Sequence, residues 1–210
     1  MVMAWAVLLS AVHVFDCLVE RFSSLFIVLL RRLSFRDVSE RYASRESVGE
    51  WVHRLGRVFN SMRKPRRLVA VDETVEKRLG EWVYVWSAID INAGEIIAVY
   101  ASRGRSMLNA LTFLRTVLRA CEGKPVVVVD RGSWYPWALK RLGIEYFHET
   151  FGDRSRIERW FRELKDRTRR FHNNINSKTV KSIEEIAAGI APIHNLLLRT
   201  QTREGGVIPS

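Results

Sequence analysis

The sequence predicts a mixed α/β fold, a five-stranded mixed sheet flanked by helices, with a small all-α segment in front of it. Three observations predict this. Residues 1–60 read as helical, with two apolar stretches in 1–30 and apolar side chains at helical spacing over 46–59. From Leu68 onward, short runs rich in Val, Ile, Tyr and Trp alternate with helical stretches. Two of those runs, 68–72 and 126–130, read as buried strands, and each ends in a carboxylate.

Residues 1–30 are apolar in two stretches, but His13, Asp16, Glu20 and Arg21 interrupt them. No window of about twenty residues is therefore suited to span a bilayer. No basic segment precedes the apolar run, against a secretory signal. The stretch reads as two buried helices rather than a membrane anchor.

Residues 31–60 read as a helix-turn-helix. Ser34 caps a helix over 35–42, a break follows at 43–45, and a second helix runs over 46–59. That second helix spaces Val48, Trp51, Val52, Leu55 and Val58 at helical intervals. Arg36 on the first helix, and Ser47, Glu50, His53 and Arg54 on the second, are candidates for contacts in a DNA groove. A helical hairpin that binds nothing is the alternative. Residues 61–67 form a basic linker containing Pro65. Its Arg63, Lys64, Arg66 and Arg67 either contact phosphates or form a solvated tether.

Strands are expected over 68–72, 82–89 and 95–101, with a turn at 90–94. A helix over 107–120 is broken by Gly123-Lys124-Pro125, and the strand ending at Asp130 follows. A helix over 134–142 is stopped by Gly143. A short strand, 144–147, precedes a strongly charged helix over 154–170 and a last helix over 182–199, which Pro192 should kink. Residues 68–200 thus form one domain, and 201–210 a tail. Three antiparallel strands followed by parallel crossovers match the ribonuclease H-like arrangement, where the first and fourth strands are parallel neighbours. This is an analogy of fold and by itself fixes no function.

The formal net charge is +11 and the pI about 10.2, which points to a polyanionic partner, DNA first. A hydrophobic content of 47% supports an ordered core and excludes wholesale disorder. Cys17 and Cys121 are far apart and have no second Cys at metal-ligand spacing, so they read as buried thiols rather than as a disulfide framework or a zinc site.

If strands 68–72 and 126–130 are parallel neighbours, Asp72 and Asp130 emerge at one end of the sheet. Crowded carboxylates repel unless a cation sits among them. Hard oxygen ligands suit Mg²⁺, with Mn²⁺ as a substitute, and two ions about 4 Å apart can drive strand cleavage and joining. Alone, Asp72 would be a strand-end residue and Asp130 a helix cap. A third acid should come from the helix over 154–170, where Glu158, Glu163 and Asp166 are available. Glu158 and Lys165 lie seven residues apart and share a face. Glu163 has Arg159 and Arg167 at helical spacing, which would satisfy it in solvent. The Arg surplus on this helix, Arg162 and Arg169 included, favours phosphate contact over a purely salt-bridged surface.

Several segments resemble the insertion-sequence-six family of DDE transposases. They are Val71-Asp72-Glu73-Thr74 with Glu81 to Asp90, Val129-Asp130 with Tyr135-Pro136-Trp137-Ala138-Leu139, and Arg156-Ile157-Glu158 with Leu164 to Phe171. Upstream, Leu33 to Val38 and Val48 to Val52 are similar to the family's helix-turn-helix. The resemblance implies that Asp72, Asp130 and Glu158 are the metal ligands and Lys165 the basic residue that follows. It implies binding to double-stranded DNA, both terminal inverted repeats and target, by a homodimer or larger assembly. The site of action would be the cytoplasm, at the nucleoid. The interval from Asp130 to Glu158 is short for the family. A catalytically inactive DNA-binding remnant, or a structure-specific nuclease on the same fold, are the alternatives.

Overall fold

The computed structural model describes residues 45–59, 61–78, 81–149, 155–170 and 179–204. Arg36, Cys17 and the first helix of the expected helix-turn-helix lie outside the described residues. The chain divides into two compact units, Met1–Val52 and His53–Ser210. The described part of the first is the opening of helix α1, Arg45–Val58, close to the bounds expected for the second helix of the pair.

Among the described residues, the main sheet of the second unit has five strands, in the order β4-β3-β2-β6-β7. They are β2 (Leu68–Arg78), β3 (Glu81–Asp90), β4 (Ile96–Ser102), β6 (Val126–Val129) and β7 (Tyr146–His148). β2, β3 and β4 are antiparallel, whereas β6 pairs parallel with both β2 and β7. The predicted adjacency of the first and fourth strands is thus present. β2 runs past Asp72 to Arg78, because its ladder with β3 continues to the pair Arg78–Glu81. The β3–β4 turn forms where expected, with Gly94 at φ 71° donating its N–H to the Asp90 carbonyl at 2.7 Å.

Helices α2 (Met107–Arg119) and α3 (Tyr135–Leu142) cover one face of the sheet. Phe113, Leu114, Val117, Ala138 and Leu139 meet Val69, Val71, Trp86, Val127 and Val129 there, all buried. Gly143 ends α3 in the left-handed region, as its position predicted. Helices α4 (Ser155–Arg170) and α5 (Val180–Glu204) cover the other face, α4 over β2 and β3, α5 over β4 and β3. α5 also closes the β4 edge. Asn195 accepts from the Ile96 N–H and donates to its carbonyl, and Glu184 accepts from the Ala101 N–H. Pro192, where a kink is expected, lies inside α5, and the helix continues past it. Buried Ala187, Ala188, Ile190, Ala191 and Ile193 hold that stretch by packing.

The basic segment 61–67 is built in rather than a solvated tether. β1 (Lys64–Pro65) pairs in parallel with β5 (Cys121–Glu122) in a separate two-stranded sheet. Gly56 brings the end of α1 against α5, where a Cβ would run into the Glu185 carbonyl. No helix among the described residues is long and apolar enough to cross a membrane.

Candidate active site

Asp72 lies within β2 and Asp130 directly after β6. The register Leu68–Val126, Val69–Val127, Ala70–Val128, carried two steps on, sets Asp72 opposite Asp130. Neighbouring strands are about 4.8 Å apart, so the two carboxylates share one end of the sheet. Side chains alternate along a strand, and Val71 belongs to the α2–α3 core, which turns Asp72 toward the α4 face; Asp130 follows Val129 of the same core, one residue past β6. Asp72 Oδ1 accepts the Glu73 N–H at 2.9 Å, and Asp130 Oδ1 accepts the Gly132 N–H at 2.8 Å. Gly132 has to be glycine here, since a Cβ would lie 2.9 Å from that oxygen and 2.7 Å from the Trp134 ring.

Glu73, the next residue of β2, points to the opposite face. Its side chain is only 4% exposed. It accepts from the Tyr135 hydroxyl at 2.7 Å and pairs with Arg105 at 3.5 Å. Arg105 in turn lies over the rings of Trp134 and Tyr84, 4.6 and 5.0 Å from their centroids. Burial raises the Glu73 pKa against the lowering hydrogen bond from Tyr135, and the charges of Asp72 and Asp130 raise it further. Burial, and then the same three acids, push the fully buried Tyr135 well above 10. The charges of Asp72 and Asp130 are thus felt by Glu73 on the opposite face of this end of β2 and β6. The sequence reading missed Glu73 and Tyr135. The signal was strand alternation, which puts Glu73 on the face opposite Asp72, where it needs a buried donor.

α4 fixes the third candidate. Ile157, Trp160, Phe161 and Leu164 are buried against the sheet, and Glu158 and Lys165 are exposed. Trp160 donates to Ser87 Oγ at 3.0 Å, and Ser87 pairs with Asp72 across the β2–β3 ladder. At about 100° per residue, Glu158 and Lys165 fall on one flank of the apolar stripe and Glu163 on the other. The Glu163 flank faces α5. Glu163 is half-buried and bonded to His194 Nδ1 at 2.8 Å, not simply balanced by arginines in solvent. α5 lies toward β4, so the Glu158 flank is the one turned away from β4, toward the β6 side of the sheet. Among the described residues, no group of three or more His, Cys, Asp and Glu stands close enough to hold a metal ion. The paired aspartates suit a hard divalent cation by their donor atoms and crowded charge.

The expected DNA contacts separate. Arg66 is turned inward. Its side chain is 0% exposed and donates to Asp90 at 2.7 Å, to the Ala120 carbonyl and to Ser61. It is a structural residue, because a buried guanidinium must satisfy its fork inside the protein. Lys64 is paired with Glu95 at 2.8 Å, and Arg63 donates to the Cys121 carbonyl. His53 is bonded to Glu185 at 2.9 Å, within the second unit. Arg54, Glu50, Arg67 and Arg162 are exposed, and Ser47 is half-buried. The Arg169 side chain lies outside the described residues.

A family model described as a DDE domain matches residues 67–200. An uncharacterized protein of Methanocaldococcus jannaschii is 41% identical over 147 residues, 69% of this chain and 66% of that protein. The chain thus spans about two thirds of the length of that relative. Among solved structures, a chain of a simian T-cell lymphotropic virus intasome, in complex with PP2A regulatory subunit B56 gamma, aligns with a TM-score of 0.50 and 12% identity. That alignment covers 79% of this chain and 66% of the other. The catalytic core domain of BIV integrase aligns with a TM-score of 0.46 and 18% identity, over 58% of this chain and 80% of that one. The fold is ribonuclease H-like, as the strand order predicted.

Proposed function

This chain belongs to the DDE domain family over residues 67–200, and on that premise we propose that it is a transposase that cuts and joins double-stranded DNA. The observation that carries the reading is that Asp72 lies in β2 and Asp130 directly follows β6, its parallel neighbour, so that both stand at one end of the sheet. Asp72 and Asp130, with Glu158 from α4, would hold two Mg²⁺ ions, for which Mn²⁺ can substitute. When bound, that pair supplies activation of a water or a DNA 3′-hydroxyl and stabilisation of the leaving oxygen. The residues of the chain do the rest. The N–H groups of Glu73 and Gly132 each hold one carboxylate oxygen, which aims the remaining lone pairs. Lys165, on the Glu158 flank, and Arg162 and Arg169 on the same helix would contact the phosphate backbone. Arg67 and the α1 residues Ser47, Glu50 and Arg54 would serve binding to terminal inverted repeats and target DNA. Two DNA ends must be held at once, so a homodimer or larger assembly would act, at the nucleoid.

The test is strand cleavage and joining on duplexes carrying the element's ends, in Mg²⁺. Asp72→Asn and Asp130→Asn should each abolish product while leaving DNA binding intact, since an amide lacks the anionic charge that a hard cation needs. Wild-type joining by either variant would remove the metal assignment. A chain that binds ends but never cleaves would be the inactive remnant.

A further inference from the structure

Both aspartates are oriented by backbone N–H groups, and both of those N–H groups lead to Tyr135. On one side, Asp130 Oδ1 accepts from Gly132, whose carbonyl accepts the Tyr135 N–H at 3.3 Å. On the other, Asp72 Oδ1 accepts from Glu73, whose carboxylate accepts the Tyr135 hydroxyl at 2.7 Å. The tyrosine is fully buried and pinned edge-on against Trp86, with ring centroids 5.8 Å apart. Trp86 is the β3 partner of Glu73. One rigid residue, 62 positions from Glu73 in sequence, therefore bridges the segments that carry Asp72 and Asp130.

We propose that Tyr135 is a positioning residue that sets the spacing and orientation of Asp72 and Asp130 through the Glu73 and Gly132 amides. The proposal rests on the reading of those two aspartates as metal ligands. A core tyrosine that merely satisfies its hydroxyl would stabilise the fold without altering metal affinity. A positioning residue would alter both. Two carboxylates on separate strands bind one hard cation well only if their separation is fixed before the ion arrives.

The experiment is calorimetric titration of the full chain with Mn²⁺ alone, beside thermal melting without metal. Tyr135→Phe keeps the ring and removes the hydroxyl. Its Mn²⁺ affinity should fall about tenfold, at the low end of what outer-sphere partners of metal ligands cost. Phe113→Leu, which alters packing against the same Trp86 ring, should lower the melting temperature and keep Mn²⁺ affinity within about twofold. Glu73→Leu should reproduce the Tyr135→Phe loss. Glu73→Gln, which still accepts from the hydroxyl, should stay within about threefold of wild type. The Glu73 pair decides the matter if Tyr135→Phe fails to fold. Wild-type affinity in Tyr135→Phe, or Glu73→Gln as weak as Glu73→Leu, would overturn the proposal. Asp130→Asn separates the two levels. If it binds Mn²⁺ as wild type does, the metal reading itself fails. If it alone loses binding, only the positioning role fails.

Discussion

The Trp160 indole donates to Ser87 Oγ at 3.0 Å, and Ser87 stands opposite Asp72 in the β2–β3 ladder. This bond ties α4 to β3, the neighbour of the strand that carries the first aspartate. Both partners are fully buried. Trp160→Phe would leave the Ser87 hydroxyl without its donor, a loss of about 1–3 kcal/mol before any packing defect. Ser87→Ala added to it should cost less than the sum of the singles, with a coupling of about 0.5–3 kcal/mol in urea unfolding. Strict additivity would mean that the bond contributes nothing.

Arg66 and Arg67 are neighbours with opposite fates. Arg66→Met leaves Asp90 buried without its cation and should cost about 3–5 kcal/mol of stability. Arg67 is exposed, so Arg67→Gln should leave the melting temperature unchanged and reduce the log–log salt slope of DNA binding by about 1. A reduced salt slope in Arg66→Met, measured where that variant is folded, would mean that its side chain turns outward to bind DNA.

That contrast shows what sequence can carry. The run ending at Asp130 is legible because four successive Val leave no solvent face, the run ending at Asp72 because Leu68 to Val71 is wholly apolar, and their adjacency because strand order follows from the alternation of elements. Gly143 is legible because only a left-handed residue ends a helix that way. The inward turn of Arg66 is not, since a charge run reads the same whether it meets water or Asp90. The Glu73–Tyr135 and Glu163–His194 bonds join residues 62 and 31 apart, and local periodicity carries no signal over such distances. Pro192 is held inside α5 because its local cost is set against packing that only the tertiary structure reveals.

Glu95 gives a pH signature. Burial pushes its carboxyl up, but hydrogen bonds and charges from Lys64 and Arg199 overcome this and take it from 4.5 to about 2. A depressed folded pKa contributes stability that is present above the unfolded value and lost as pH falls through the folded one. Stability from Glu95 should therefore decline between about pH 4.5 and 2. Both partners are substantially exposed, so after solvent screening the contribution is on the order of 1–2 kcal/mol. Urea midpoints at pH 5 and pH 2.5 should differ less in Glu95→Gln than in wild type. An unchanged difference would remove Glu95 from the acid transition.

The remaining question is which α4 acid completes the site. Glu158 and Glu163 are five residues apart, about 140° around the helix, so both cannot face one metal pair. The buried stripe of Ile157, Trp160, Phe161 and Leu164 divides them. Glu163 turns toward α5, where His194 holds it at 2.8 Å, and α5 lies on the β4 side of the sheet. The opposite flank, with Glu158 and Lys165, is turned away from β4, toward the β6 side of the sheet. Glu163→Gln can still bond His194, so it should cost about 1 kcal/mol of stability and leave cleavage near wild type. Glu158→Gln should keep DNA binding and the melting temperature and lose cleavage entirely, because its exposed carboxylate has no packing role to forfeit. The two variants belong in one assay at matched DNA occupancy. An active Glu158→Gln beside a dead Glu163→Gln would move the third ligand across the helix. The His194 bond would then have to break when the metal binds.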